Sequence, residues 1–273
     1  MKLYVVCDLE GVAGVVHHPQ QCRWDADRGW YAPFLEQARR LATLELNALV
    51  EGALSAGAEE IIAWDGHGNF PGGLEVELLH PACKLIMDAG DGGPAGLDSS
   101  FDALLQLGLH AMAGTPRAVL AHSFFGNLLE YTVNGEAVGE IWMNAYTAGK
   151  VGVPFIFLSG DRAAALEARQ LVPDVEVAIV KEGLSEEAIG LDHVQPALCL
   201  SPQAARETIR KTVARALWKV GKVAPFTRKP PFTLRARFSG ERFAEERAGQ
   251  PGVRRVDACT VELVGADEPW LLL

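Results

Sequence analysis

The chain begins with an apolar, β-favouring run, Lys2–Cys7, that ends abruptly in the sequence Asp-Leu-Glu-Gly at 8–11. Such a run is typical of a buried central strand, and the glycine predicts a loop directly after it. Residues 30–56 then carry apolar side chains at helical spacing, and residues 60–64 form a second apolar run. A strand, a helix and a strand in this order predict two parallel strands joined by a right-handed crossover.

The alternation of apolar runs and helical segments continues beyond this first unit. Apolar runs occupy residues 85–88, 103–108, 118–121, 153–158 and 175–180, and helical patterns occupy 139–149, 161–171 and 201–219. A glycine-rich stretch at 89–96 predicts an exposed loop. The whole pattern predicts an α/β domain over 1–222, with a mostly parallel sheet and helices on both faces. Prolines and alternating strand patterns in 223–273 predict a small C-terminal α+β region.

The charge and the cysteines narrow the class of protein. The net charge of -10, from 35 acidic and 25 basic residues among 273, opposes binding to nucleic acid or to anionic membranes. The five cysteines are odd in number and never form a CxxC pair, which is typical of a reducing compartment. No stretch approaches the roughly 18 apolar residues of a membrane span. We therefore expect a cytoplasmic protein.

Several metal-binding side chains follow the predicted strands. Asp8 and Glu10 project the same way from an extended segment, His67 and His110 follow two further apolar runs, and Glu140 lies in the first turn of a helix. The carboxyl ends of the strands are where open α/β sheets bind ligands. Two adjacent carboxylates resist joint ionisation unless a cation neutralises them. Imidazole and carboxylate ligands together suit one or two divalent ions of the zinc type.

Each of these residues also has a simpler interpretation. One carboxylate of the Asp-x-Glu pair could cap a helix while the other is solvated, and Glu140 could serve only the helix dipole. His122, at the end of the 118–121 run, could act as general base, acid or nucleophile, or could be a hydrogen-bonded histidine at a strand end. Asn144, one helical turn after Glu140, and Asp65 are candidates for supporting the metal ligands.

Taken in order, these residues resemble a known family. The matching segments are Asp8-Leu9-Glu10-Gly11, Asp65-Gly66-His67, Gly108-Leu109-His110-Ala111, His122-Ser123, Asn134-Gly135, Val138-Gly139-Glu140 and Asn144-Ala145-Tyr146. The set is similar to that of the D-aminopeptidase family first associated with a bacterial dipeptide-transport operon, whose members are dizinc, self-compartmentalising peptidases. The resemblance extends from residue 1 to about residue 220, and Asn134-Gly135 also predicts a type I′ hairpin turn.

The resemblance implies both a site and an activity. It implies two zinc ions per subunit with five protein ligands, namely Asp8, Glu10, His67, His110 and Glu140. Asp8 would bridge the two ions, and His122 matches the family's proposed catalytic histidine. The implied enzyme is a homodecamer whose sites face an inner channel, and it removes an N-terminal D-residue from short peptides such as D-Ala-D-Ala.

The chain departs from the family pattern at several positions, and two alternative functions stay open. Met112 stands where a basic residue is expected, which leaves open what binds the substrate carboxylate. Residues 271–273 form an apolar tail that we expect to be exposed, either docked on a neighbouring subunit or truncated. One alternative function is a metal-dependent hydrolase of L-peptides, other amides or esters, because metal ligands do not determine the specificity pocket. The other is a non-catalytic, ring-forming binding protein.

Overall fold

A seven-stranded sheet and a five-stranded sheet organise the computed structural model, which describes residues 1–25, 27–88 and 93–273. The strands are β1 (Lys2–Cys7), β2 (Trp24–Asp25), β3 (Trp30–Tyr31), β4 (Glu60–Asp65), β5 (Cys83–Ile86), β6 (Ala103–Leu109), β7 (Leu128–Val133), β8 (Glu136–Ala137), β9 (Phe155–Asp161), β10 (Glu176–Gly183), β11 (Ala197–Cys199), β12 (Phe232–Phe238), β13 (Val253–Arg255) and β14 (Thr260–Ala266). The helices are α1 (His18–Gln21), α2 (Leu35–Ser55), α3 (Glu140–Lys150), α4 (Arg162–Leu171), α5 (Pro202–Leu217) and α6 (Glu241–Ala248).

The larger sheet has the order β11-β10-β9-β6-β1-β4-β5, and only β11 runs antiparallel to its neighbour. Helices α2 and α5 pack together, and α3 and α4 pack together. The crossovers from β1 to β4 and from β6 to β9 move in opposite directions along the sheet. With right-handed crossovers, the two helix pairs therefore lie on opposite faces. The predicted α/β class is confirmed, and β1 lies between β4 and β6, so the loops after these three strands are neighbours.

Burial explains why these segments form strands. Every residue of β6 and β9 is buried, as expected for parallel strands that are covered by helices on both faces. The helices begin where the sequence offers caps. The Asp161 carboxylate accepts the Ala164 N–H at 2.7 Å at the start of α4, and the Ser201 hydroxyl accepts the Ala204 N–H at the start of α5.

Two predicted elements differ from the structure. The helix predicted over 30–56 begins only at Leu35, because Trp30–Tyr31 pairs with Trp24–Asp25 in a short hairpin. The apolar run at 118–121 is a buried loop and not a strand. Its Val119 N–H donates to the Asp161 carboxylate at 2.6 Å, and Leu120 has a φ of 58°, which no strand residue adopts. His122 therefore follows a loop. Of the loop predicted at 89–96, residues 89–92 lie outside the described residues.

The smaller sheet is antiparallel and has the order β13-β14-β12-β7-β8. Strands β7 and β8 form the predicted hairpin, with φ values of 53° at Asn134 and 82° at Gly135. This sheet joins strands from both sides of the boundary predicted near residue 222. The division into 1–222 and 223–273 stays a prediction.

The apolar tail packs on its own chain. The Tyr131 hydroxyl donates to the Pro269 carbonyl at 2.7 Å, and Leu272 is buried, while Leu271 is 46% exposed. The expectation of an exposed tail is therefore wrong for Leu272, which is buried, and the hydrogen bond from Tyr131 of β7 holds the nearby residue Pro269 on this chain. Among the described residues, no helix combines the length and the apolar content that crossing a bilayer would require.

Candidate metal centre

Asp8 directly follows β1 and lies between two imidazoles, those of His67 after the neighbouring strand β4 and of His110 after the neighbouring strand β6. Its Oδ1 lies 3.1 Å from Nδ1 of His67, and its Oδ2 lies 3.3 Å from Nε2 of His110. Each imidazole has a second carboxylate beside it. Glu10 Oε2 lies 3.0 Å from His67 Nδ1, and Glu140 Oε2 lies 3.6 Å from His110 Nε2. The strand order thus brings all five predicted ligands together.

Backbone carbonyls orient both imidazoles. His67 Nε2 lies 3.1 Å from the Cys22 carbonyl, and His110 Nδ1 lies 3.0 Å from the Ala111 carbonyl. A carbonyl oxygen only accepts, so these two ring nitrogens carry the hydrogen. The opposite nitrogens, which face the carboxylates, are then the ones with a lone pair in the neutral rings. This is the arrangement in which histidine binds a metal.

The carboxylates and the imidazoles perturb one another's protonation. Burial alone would raise the pKa of Asp8, but the imidazoles of His110 and His67 outweigh burial and hold it well below its ordinary value. Burial alone would lower the pKa of His67 and His110. The charge of Glu10 beside His67 and of Glu140 beside His110, together with Asp8, raises both well above the ordinary value. The negative site therefore retains protons that a divalent cation would displace.

The unpaired polar atoms of this cluster fit a cation. In the described part of the chain, Asp8 Oδ2, Glu10 Oε2 and His110 Nε2 are buried without a hydrogen-bond partner. Ligand atoms of these three residues lie within 4.8 Å of one another, and so do those of His110, His122 and Glu140. Buried polar atoms without partners are costly, and the mixture of imidazole and carboxylate donors suits a divalent ion of the zinc type.

His122 lies against the same cluster. Its ring stacks on that of His110 with the centroids 3.8 Å apart, its Nδ1 lies 3.0 Å from the Leu120 carbonyl, and its Nε2 lies 3.9 Å from Glu140 Oε1. Burial and the positive field of His110 lower the pKa of His122. A neutral ring with Nδ1–H bonded to Leu120 leaves Nε2 available to accept a proton.

Asp65 and Asn144, the two candidates for supporting the metal ligands, lie in different parts of the site. Asp65 accepts the backbone N–H of Gly73 at 2.9 Å and of Leu74 at 3.1 Å, so it holds the loop that carries His67. Asn144 lines the same cleft as the metal cluster, and its amide donates to the buried Gln106 side chain at 3.2 Å.

Close backbone packing fixes the loop after β1. A Cβ at Gly11 would lie 2.1 Å from the Leu109 carbonyl oxygen, so only glycine fits between the ends of β1 and β6. This contact sets Asp8 and Glu10 directly beside the residue that precedes His110.

The buried Lys181 on β10 also holds this loop. Its ammonium donates to three carbonyls, those of Glu10, Val12 at 3.0 Å and Val15. Three donors thus meet three acceptors, and the loop that carries Glu10 is bound to the sheet. From the other side, the Glu45 carboxylate accepts the N–H of Ala13 at 3.0 Å.

We expect Lys181→Met to lower the free energy of unfolding of the metal-free protein by about 2–4 kcal/mol, because three buried carbonyls lose their donor. The loop would also release Glu10, so we expect the affinity for a divalent ion to fall by about tenfold or more. Urea unfolding and metal titration measure the two effects. Lys211→Met, which removes an exposed partner of Glu207, is the matched control. An unchanged metal affinity in folded Lys181→Met would contradict this role.

Sequence reasoning missed Lys181 and His18. A lysine directly after the apolar run 175–180 was the available signal for Lys181. His18 Nε2 lies 3.7 Å from Glu10 Oε1, and its ring centroid lies 6.3 Å from that of His122. Burial lowers the pKa of His18 to about 4, against the opposing charge of Glu10. Its local sequence, His17-His18-Pro19, carried no signal of this position.

The metal cluster opens into a large cleft of about 1490 Å³. Besides the cluster, the cleft is bounded by the loop 124–127, by helix α6 and by the tail from Trp270 to Leu273. The arrangement suits a hydrolytic centre, because side chains able to hold a cation, a histidine of lowered pKa and room for an extended substrate lie together.

Comparison with known proteins agrees with this geometry. A family model described as D-aminopeptidase, peptidase family M55, matches residues 1–269. The D-aminopeptidase of Bacillus subtilis (strain 168) is 34% identical over 272 residues, which cover 98% of this chain and 92% of that protein. A solved structure described as the Zn-dependent D-aminopeptidase DppA from Bacillus subtilis, a self-compartmentalizing protease, aligns with a TM-score of 0.83 and 33% identity over 100% of this chain and 93% of that chain. The chain therefore belongs to the D-aminopeptidase family of peptidases.

Proposed function

We propose that this protein is a zinc-dependent aminopeptidase that removes an N-terminal D-amino acid from short peptides such as D-Ala-D-Ala, at a centre for two metal ions. The observation that carries the proposal is the position of Asp8, whose two oxygens face His67 and His110 separately. A carboxylate in this position suits a bridge between two ions. The name of the Bacillus subtilis relative and the zinc dependence of the solved structure support the substrate class and the metal.

The five residues divide into two sets of ligands. Asp8, Glu10 and His67 would hold one ion, and Asp8, His110 and Glu140 would hold the other. Bound in this way, a metal pair polarises the scissile carbonyl and stabilises the charge that develops on its oxygen. The protein keeps the ligand geometry fixed through the carbonyls of Cys22 and Ala111, which orient the two imidazoles.

His122 performs the proton transfer in this proposal. Its Nδ1–H is bonded to the Leu120 carbonyl, so Nε2 is the nitrogen that accepts a proton on the cleft side. The lowered pKa of His122, caused by burial and by the neighbouring His110, keeps the ring neutral and able to accept. In this proposal Nε2 takes a proton from the water that attacks the scissile carbonyl carbon, and the protonated ring gives that proton to the amine as the C–N bond breaks.

We further propose that the protein is a cytoplasmic homo-oligomer, a decamer, whose assembly admits only short peptides. The solved structure is described as a self-compartmentalizing protease, which supports this assembly. The net charge of -10 disfavours binding to nucleic acid or to anionic membranes, so we propose neither as a partner.

The test is hydrolysis and metal content measured on the same purified sample. We expect about two zinc ions per chain, release of D-alanine from D-Ala-D-Ala, loss of activity after chelation and its recovery on addition of zinc. L-Ala-L-Ala is the matched substrate control, and we expect it to be cleaved at least about tenfold more slowly. Equal cleavage of both dipeptides would favour a different specificity. Bound metal without turnover of any peptide, amide or ester would favour a binding protein.

A further inference from the structure

The cleft extends from the metal cluster to helix α6. The two regions are joined by the loop 124–127, because the Phe124 N–H donates to Glu140 Oε1 at 2.8 Å and the Ser239 N–H donates to the Asn127 carbonyl at 2.9 Å. Ser239 directly precedes the cap of α6. The three residue steps from Phe124 to Asn127 span at most about 11 Å, so one short loop connects the cluster with the start of α6. An extended peptide with one end at the cluster can therefore run along this loop towards α6.

Two arginines of α6, Arg242 and Arg247, line the part of the cleft that lies away from the metal cluster. Neither arginine forms an ion pair with any residue that the structure describes. Nearby, in contrast, Arg254 is paired with Glu262 and Arg255 with Glu241. Two guanidinium groups thus line the cleft with no carboxylate partner in the described part of the chain.

The surroundings of these arginines suit an anionic ligand. The guanidinium carbon of Arg242 lies 4.5 Å from the centre of the Phe243 ring, a contact that leaves the N–H donors at its edge free. The partly exposed Leu271 of the tail also lines the cleft and adds an apolar wall. An arginine beside apolar surface binds a carboxylate more strongly than one in open water, and its planar fork matches the two carboxylate oxygens.

We propose that Arg242 and Arg247 bind the free C-terminal carboxylate of the peptide whose amino-terminal residue lies at the metal cluster. This inference rests on the proposed aminopeptidase function and specifies its substrate class: short peptides with a free carboxylate. The arginines attract the negative end of such a peptide, so they also fix the direction in which it binds, with the amino-terminal residue at the metal cluster.

The experiment compares D-Ala-D-Ala-D-Ala with its C-terminal amide, using the double variant Arg242→Gln/Arg247→Gln. We expect the wild-type protein to cleave the free acid with a kcat/KM about 10- to 100-fold above that of the amide. In the double variant this preference disappears, through a higher KM for the free acid, while the kinetics of the amide and the metal content stay unchanged. Lysine at both positions keeps the charges and restores part of the preference.

The control is Arg254→Gln, which removes an exposed arginine that is already paired with Glu262. We expect it to leave the preference for the free acid intact. If the wild-type protein cleaves both peptides equally, or if the control loses the preference as much as the double variant does, the arginines do not bind the carboxylate and the aminopeptidase function stands. If it cleaves neither peptide, the proposed function fails and this inference fails with it.

Discussion

Asp8→Asn is expected to lower the affinity for divalent metal by more than about a hundredfold and kcat/KM by at least about a thousandfold. Asparagine keeps the size of the side chain and an oxygen that can accept the Leu9 N–H, as Asp8 Oδ1 does at 2.8 Å. It cannot present two anionic oxygens to His67 and His110, so both halves of the metal site weaken together. Metal content per chain and hydrolysis of D-Ala-D-Ala on the same samples measure the effect.

The matched control is Asp102→Asn. Asp102 directly precedes β6 at the opposite edge of the sheet, where its carboxylate accepts the backbone N–H of Lys2 at 2.7 Å. We expect this variant to retain metal and activity, with a change in stability within about 0.5 kcal/mol. An Asp8→Asn protein that keeps two ions per chain would contradict the bridging position. One that loses a single ion would show that the two halves bind independently.

Much of the larger sheet could be predicted because parallel strands buried on both faces are continuous apolar runs. β6 and β9 are of this kind, and the prediction located both. The same criterion wrongly predicted a strand at 118–121, because a buried loop can be as apolar as a strand. Its conformation depends on a distant residue, Asp161, which accepts the Val119 N–H, and periodicity carries no information about such a contact.

The smaller sheet illustrates a second limit. Local patterns predicted the hairpin at Asn134-Gly135 and strands in the C-terminal region, where β12 pairs with β14. The pairing of β7 with β12 joins residues about a hundred positions apart, and no local signal encodes it. Because α6 directly follows β12, this pairing sets the start of α6 beside the loop 124–127 of the cleft. The position of Arg242 and Arg247 was therefore not predictable from local patterns. The N–H of Met112, where the family pattern predicts a basic residue, donates to the buried Glu167.

The candidate metal ligands could be found because each follows a strand or begins a helix, and the topology of a parallel sheet brings such positions to one edge. Their assignment as ligands stays a prediction that metal analysis must test. Lys181 and His18 were not found, because their importance arises from contacts across 171 and 8 residues of sequence to the loop that carries Glu10. The side chains that bind could be predicted better than those that position them.

His122→Ala is expected to lower kcat by about 10²- to 10⁴-fold while leaving the metal content and the thermal stability close to those of the wild-type protein. The reason is geometric: His122 stacks on His110 and directs Nε2 towards the cluster, but the two carboxylates and the imidazole of each proposed metal set remain when it is removed. Turnover of D-Ala-D-Ala and metal per chain are measured together, so that proton transfer is separated from metal binding.

His80→Ala is the matched control, because among the described residues the His80 ring forms a hydrogen bond only with the N–H of Ala82, at 3.1 Å and away from the metal cluster. It should leave turnover and metal content unchanged. Two results would contradict the role given to His122. Turnover within about twofold of the wild-type rate would mean that another group transfers the proton, and His18, whose ring centroid lies 6.3 Å away, would be the next residue to replace. Loss of one ion together with activity would instead make His122 a ligand beside His110 and Glu140, whose ligand atoms all lie within 4.8 Å.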